Sequence, residues 1–340
     1  MSNVLVIRLS AMGDVAMTVP VVASVLQQHP DLHITLISNP RFEAMFGNLE
    51  RFTFVGVDTK VKYHGLAGIF RLFRDLRKTN RFDAVADLHD VLRSMVLRTL
   101  FRLSGVKVSH INKGRAEKRA LVSASHKQLH QLQTSVSRYC EVFGRLGLSV
   151  IPHFTSICSK EHPPVSPLGA KQGQWVGVAP FAQHKGKIYP LDKMEQVVRR
   201  LAERSGVRVL LFGGGPKEVA VLEGWAAASE SVTSVAGKYP LCDELAILNL
   251  CDVLVSMDSA NMHLASLVAT PVVSVWGATH PFAGFYGYGQ NTENIVQCAD
   301  LDCRPCSIYG NKPCLRGDYA CLNGIEPDRI VDKVMRVLSD

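Results

Sequence analysis

Asp14 ends the run Arg8-Leu9-Ser10-Ala11-Met12-Gly13-Asp14, which follows directly on the apolar stretch Val4-Leu5-Val6-Ile7. A short apolar run of this kind reads as a buried parallel strand, and ligands in open α/β sheets bind where loops leave the C-terminal ends of such strands. A carboxylate there is suited to take a proton from a hydroxyl. The same residue also reads as a helix N-cap, because the helical pattern Val15, Val19, Val22, Leu26 begins at once. Three further loops carry chemistry. Residues 180–189 hold His184, Lys185 and Lys187, cations that suit a diphosphate as well as a solvated loop. Gly213-Gly214-Gly215-Pro216-Lys217-Glu218 lets backbone approach a ligand, with Glu218 placed for ribose hydroxyls; it is equally an ordinary turn. In Met257-Asp258-Ser259-Ala260-Asn261-Met262-His263, Asp258 and Ser259 stand at a helix start. The small residues there would offer free amides to an anion, although a capped helix with His263 in the core fits too.

Five of the nine cysteines fall within residues 298–321. The spacing Cys303-x2-Cys306-x7-Cys314-x6-Cys321 is compatible with a tetrahedral structural zinc site. Reduced or disulfide-capable structural thiols and an iron–sulfur cluster are the other readings of the same spacing.

The elements that must position these groups alternate between strand and helix patterns. In the first half, strands are expected at 4–7, 33–38, 52–57, 84–87 and 107–111. Helices are expected at 15–28, 66–79 (with Arg71, Arg74, Arg77 and Lys78), through Arg93, Arg98 and Arg102, and at 128–146. Residues 158–173 contain Pro163, Pro164, Pro167, Gly169 and Gly173 and read as a linker. Alternation then resumes, with strands at 175–179, 208–212, 232–235, 253–257 and 272–276. A loop-rich stretch runs to 324, and a last helix, 327–338, is placed so that it could pack back on the N-terminal domain. The fold class is α/β: two doubly wound Rossmann-like domains, 1–165 and 166–340, facing across a cleft.

The chain has 340 residues, of which 47% are hydrophobic and 20% charged. There is no basic-then-apolar leader pattern, and no apolar run approaches the ~18 residues of a membrane span, so the expected location is the cytoplasm. The net charge of +8 is uneven: residues 1–165 hold 22 Lys+Arg against 12 Asp+Glu, and the remainder holds 16 against 18. A basic half suggests a polyanionic partner. No aromatic-flanked basic motif points to nucleic acid. A nicotinamide-dependent oxidoreductase is disfavoured because no G-x-G-x-x-G follows the first strand.

Taken together, four segments resemble the bacterial lipopolysaccharide heptosyltransferases, glycosyltransferases of the GT-B architecture. They are Val4–Asp14; Arg81–Ser94 with Asp87-Leu88-His89; Lys187-Ile188-Tyr189-Pro190, with Tyr where the family has Trp; and Asp258–His263 leading to Gly277-Ala278-Thr279-His280-Pro281. In the last, Ala260, Ala278 and His280 replace the more usual Gly, Pro and Asp. The resemblance implies an inverting, metal-independent transfer of heptose from ADP-heptose to an anionic lipopolysaccharide-core acceptor at the inner face of the inner membrane. Asp14 would be the base. Lys187, Glu218, Asp258, Ser259, Ala260, Asn261 and His263 would bind the donor, and Ser10, Gly13, Arg93, Lys113, Arg115 and Arg119 the acceptor. No cofactor is required for catalysis, and a monomer is expected. Another nucleotide-activated sugar, or a non-catalytic nucleotide-sugar or glycolipid-binding role, are the alternatives.

Overall fold

The computed structural model describes residues 2–47, 49–158 and 165–339. The linker residues Pro163 and Pro164 lie outside the described residues. The chain divides into two compact units, 1–113 with 134–157, and 114–133 with 158–340. Residues 114–133, which the sequence division puts in the first half, thus pack with the second.

The first unit is built on five parallel strands: β1 (Ser2–Ile7), β2 (Leu32–Ser38), β3 (Phe52–Gly56), β4 (Ala84–Asp87) and β5 (Lys107–His110), in the order β3-β2-β1-β4-β5. β1 and β4 are short and their apolar residues are buried, as expected of strands covered on both faces. The expected helix at 15–28 is two helices, α1 (Met12–Ala16) and α2 (Val19–Gln28). Pro20, which has no amide hydrogen to continue a helix, sits in the first turn of α2 and enforces the break. α3 (Gly65–Thr79) and α4 (Leu92–Leu103) pack side by side. Ile69, Leu72 and Leu76 of α3 and Leu97 and Phe101 of α4 share a core with Leu5, Ile7 and Val85 of the sheet.

α5 (Arg115–Leu121) belongs to the second unit and α6 (Ser135–Gly144) to the first. The long helix expected over 128–146 is therefore cut at its N-terminal side. Thr134 caps α6, its hydroxyl accepting from Ser137 N, and Leu132 N donates instead to Phe282 O.

The second unit carries β6 (Gln174–Ala179), β7 (Val207–Leu211), β8 (Val232–Ser234), β9 (Val253–Met257), β10 (Val272–Trp276) and β11 (Ile295–Gln297), all parallel, in the order β11-β10-β9-β6-β7-β8. Its helices are α7 (Leu191–Ala202), α8 (Pro216–Ala226), α9 (Leu241–Leu250), α10 (Ala260–Leu267), α11 (Ala320–Asn323) and α12 (Pro327–Ser339). α12 packs on this unit. Ile330, Val331 and Val334 are at most 2% exposed, in one core with Met194 and Val197 of α7 and Val253 and Val255 of β9. Burying those three side chains contributes roughly 5–9 kcal/mol before chain entropy is charged. Their i, i+1, i+4 spacing is an ordinary amphipathic face, and the nearest apolar sheet is the unit's own.

Both sheets reverse direction of winding once, between β1 and β4 and between β6 and β9. At such a switch point, successive crossovers lie on opposite faces, and the loops leaving the two central strands part to form a crevice. The four loops in question carry Asp14, His89, Lys187 and Asp258.

Candidate active site

In the first unit, Asp14 lies in the first turn of α1, whose N-cap is Ala11. The capping role is therefore not its own, and its carboxylate is turned to Arg8: Oδ2 lies 2.5 Å from Arg8 Nη2, with the two side chains 33% and 7% exposed. Arg8 Nη1 donates to Leu88 O at 2.6 Å, and the Tyr139 hydroxyl donates to Asp14 O at 3.4 Å. Burial opposes the charge on Arg8, but Tyr139 and Asp14 more than offset it, and its pKa is raised. A permanent cation thus holds the carboxylate in one orientation.

His89, at the exit of β4, is the residue of this site that sequence reasoning missed. Its Nε2 lies 3.5 Å from Ser10 Oγ, and its buried Nδ1 has no hydrogen-bond partner among the described residues. Burial, then the charges of Arg8 and Lys113, pushes its pKa down to about 3, so the ring is neutral near pH 7. The turn that presents it is fixed by Asp87, which is fully buried: Oδ1 accepts from His89 N and Asp90 N, and Oδ2 from Arg98 Nη1 at 2.8 Å. Of the expected acceptor residues, Ser10 touches His89, Gly13 is in α1, Lys113 donates to Asp90 O, and Arg93 is in the first turn of α4, near enough to act on His89. Arg115 and Arg119 lie on α5, in the second unit.

In the second unit, Lys187 Nζ is 2.9 Å from Asp258 Oδ2, and the side chains are 15% and 5% exposed. The contact is an ion pair without good hydrogen-bond angles, since Oδ2 has no hydrogen-bond partner despite that distance. Lys187 is held from both sides. Gly186 N donates to Gly310 O, and Ala278 N donates to Gly186 O at 2.9 Å. A Cβ on Gly186 would meet Gly310 O at 2.8 Å, one on Gly277 would meet Leu322 at 2.6 Å, and one on Gly310 (φ +72°) would meet Lys187 Cγ at 2.6 Å. Glycine at these positions is what lets three backbone segments close around the lysine. Tyr189, where the resembling family has Trp, is fully buried and donates its hydroxyl to Ile325 O at 2.7 Å.

Ser259 is the N-cap of α10, but its side chain makes no capping bond; its Oγ is 3.3 Å from Ser256 Oγ. The first-turn amides of Ala260 and Asn261 are therefore not taken by the cap, beside the Lys187–Asp258 pair. His263 is buried in α10. Glu218 holds the backbone of its own loop, where its Oε2 accepts from Gly214 N at 2.9 Å and closes the glycine turn.

Arg304 is the organiser of the loop after β10. It is 5% exposed and donates to Gly277 O, Cys298 O, Thr279 O and Gln297 Oε1 at 2.6–3.0 Å. His280 lines a cavity of about 410 Å³ with Lys127, Asp300, Asp302 and Arg304. Its Nδ1 accepts from Phe282 N, and burial, then Arg304 and Lys127, lowers its pKa to about 4.

The four cysteines of the expected zinc site lie in the loop-rich stretch after β10. All nine cysteines are free thiols, and among the described residues no group of three or more His, Cys, Asp or Glu is gathered to hold a metal ion. Burial, and then the neighbouring Cys303 and Cys314, opposes ionisation of Cys306 and Cys321. Arg304, Lys127 and Arg316 are the cations close to them, and a dication would have to sit beside these charges.

The model of a family described as glycosyltransferase family 9 (heptosyltransferase) matches residues 69–313. Lipopolysaccharide heptosyltransferase 3 of Escherichia coli K12 is 26% identical over 305 residues, 84% of either chain. Among solved structures, a glycosyl transferase family 9 protein from Veillonella parvula superposes with a TM-score of 0.75 at 18% identity, covering 99% of this chain and 97% of that one. The E. coli heptosyltransferase WaaC with ADP-2-deoxy-2-fluoro heptose gives 0.67 at 20% identity, covering 98% and 99%.

Proposed function

The chain belongs to glycosyltransferase family 9, and from that premise we propose that it moves a heptose from ADP-heptose to a hydroxyl of a lipopolysaccharide-core acceptor, with inversion at the anomeric carbon. The observation that carries this reading is the Lys187–Asp258 pair beside the uncapped start of α10. A fixed cation next to free amides suits a diphosphate whose charge grows as the glycosidic bond breaks. The WaaC structure with a fluorinated ADP-heptose supports the choice of nucleotide and sugar.

In this mechanism Asp14 takes the acceptor proton, the hydroxyl oxygen attacks the anomeric carbon, and ADP departs with the bonding electron pair. Arg8 positions the carboxylate, and the neutral His89 offers a ring nitrogen to an acceptor hydroxyl without adding charge. Lys187 and the amides of Ala260 and Asn261 receive the diphosphate, so the leaving group needs no metal. Asp258 orients the lysine, and Glu218 supports the glycine turn and presents its second oxygen to the ribose. Ser10, Gly13, Arg93 and Lys113 line the acceptor side, in a unit with 17 Lys+Arg against 10 Asp+Glu.

The test is thermal stabilisation of the protein by a set of nucleotide sugars, followed by transfer with the best binder. ADP-heptose at a hundredfold excess over its Kd should stabilise by about 2.7 kcal/mol. Stabilisation by a uridine or guanosine sugar, with none by ADP or ADP-heptose, would remove ADP-heptose as the donor.

A further inference from the structure

We infer that the outer faces of α3 and α4 are a docking surface for an anionic lipid bilayer. Eleven large hydrophobic side chains are exposed among the described residues, and six fall between 61 and 103: Val61 (78%), Leu66 (63%), Phe70 (51%), Leu92 (75%), Met95 (42%) and Leu103 (80%). On α3, Leu66 and Phe70 are one turn apart and exposed, turned away from the buried Leu72 and Leu76. Arg71, Arg74, Arg77 and Lys78 share that exposed side. The one acid of α3, Asp75, is engaged by the Tyr63 hydroxyl and Lys62. α4 has no acid at all. Its Arg98 turns inward to Asp87 and Asp90, while Arg102 is exposed between Met95 and Leu103. The two helices are neighbours on one sheet face, joined by the Phe73–Phe101 edge contact at 4.9 Å, so their outer faces open on the same side of the unit.

Charge complementarity selects the occupant. Single apolar tips separated by cations, with the one acid of the two helices already paired, do not form the continuous apolar core of a protein interface. They do suit a fluid surface in which the tips enter the acyl boundary while the guanidinium groups meet lipid phosphates. No described helix is long and apolar enough to cross a membrane, so the attachment is peripheral. The inference rests on the reading of the acceptor as a membrane glycolipid only for its purpose, to bring the acceptor site to the bilayer.

The full chain is sedimented with phosphatidylcholine vesicles, with or without roughly one-third phosphatidylglycerol, at low and high salt. Binding to the anionic vesicles is expected, weakening with salt, and at least tenfold weaker on neutral vesicles. Arg74→Gln with Arg77→Gln should lower partitioning about 25-fold, near fivefold for each charge. Leu66→Ser with Phe70→Ser should lower it tenfold or more at unchanged charge, while transfer to a detergent-solubilised acceptor stays at the parent rate. Equal binding to both vesicle types, no binding, or no effect of the apolar pair would overturn the docking surface. Because the vesicles contain no acceptor, those outcomes leave the transferase reading standing, and absence of transfer by the parent protein would strike that reading alone.

Discussion

Asp14→Asn separates chemistry from structure at the first-unit site. Asparagine keeps the shape of the side chain and an oxygen for Arg8 Nη2, so the buried guanidinium is not stranded. What is lost is the charge of a side chain that is one-third exposed, and after allowance for solvent screening the stability cost is about 1 kcal/mol. For a chain of this size that lowers Tm by roughly 2 °C. The loss of a general base is far larger, 10²- to 10⁴-fold in rate, or about 3–5 kcal/mol of activation free energy. The assay is ADP release and glycosylated product under saturating donor and acceptor, with Tm and donor affinity measured on the same preparation. The expected pattern is a fall in kcat of at least a hundredfold, an unchanged donor Kd and a small shift in Tm. A fall in kcat below tenfold would refute the base assignment. A collapse of Tm and kcat together would do so as well, by showing that the ion pair is chiefly structural.

Three further outcomes are expected. Lys187→Ala strands Asp258, which is 5% exposed, and should cost about 3 kcal/mol of stability and at least tenfold in ADP affinity; the double variant with Asp258→Ala should regain stability without regaining ADP, and an unaltered ADP Kd by calorimetry would contradict the diphosphate role. Gly310→Ala should also weaken ADP binding, because its Cβ would lie 2.6 Å from Lys187 Cγ, whereas Gly317→Ala, with φ +80° but open surroundings, should lose stability alone. Acid should destabilise the protein: His89 and His280 titrate at about 3 and about 4 in the fold but near 6.5 when unfolded, so the unfolded state binds more protons in between, and stability falls with pH through that window. The slope is up to about 2.7 kcal/mol per pH unit. Urea unfolding of the His89→Gln, His280→Gln variant should show a flatter dependence, and an equal slope would contradict the burial of two neutral imidazoles.

The strands were largely legible because both faces of each sheet are covered, so runs such as Val253–Met257 and Val272–Trp276 are buried end to end and apolar but for one serine each. β11 was not, being three residues long at a sheet edge within a loop-rich stretch. The helix expected over 128–146 failed for a tertiary reason. Its first residues have helical spacing, but Leu132 is captured by Phe282 and Ala283, and the Thr134 cap that starts α6 was in plain view in the sequence. In the site, Asp14, Lys187 and Asp258 could be picked out by their position at strand exits. His89 was visible in the same way, after β4, but its meaning depends on burial and on Arg8, 81 positions away in sequence. The spacing of the cysteines suggested metal chemistry; what the fold places among them is Arg304, whose partners are carbonyls that no sequence pattern announces.

The assignment of residues 114–133 to the second unit makes the chain discontinuous in both halves. The polypeptide passes from one unit to the other three times, after residues 113, 133 and 157, so a single proteolytic nick within 159–164 leaves two covalent connections intact. Neither half is a transferable module. Expression of 1–165 would carry Leu121 and Leu132, both at most 2% exposed in the intact chain, without the Ala283 against which they pack. Expression of 166–340 would leave Asp302 O and Arg304 O without the Lys127 ammonium that donates to both. A chimaera that exchanges the second unit between relatives must therefore move 114–133 along with 158–340, and one cut at the linker alone would be expected to aggregate.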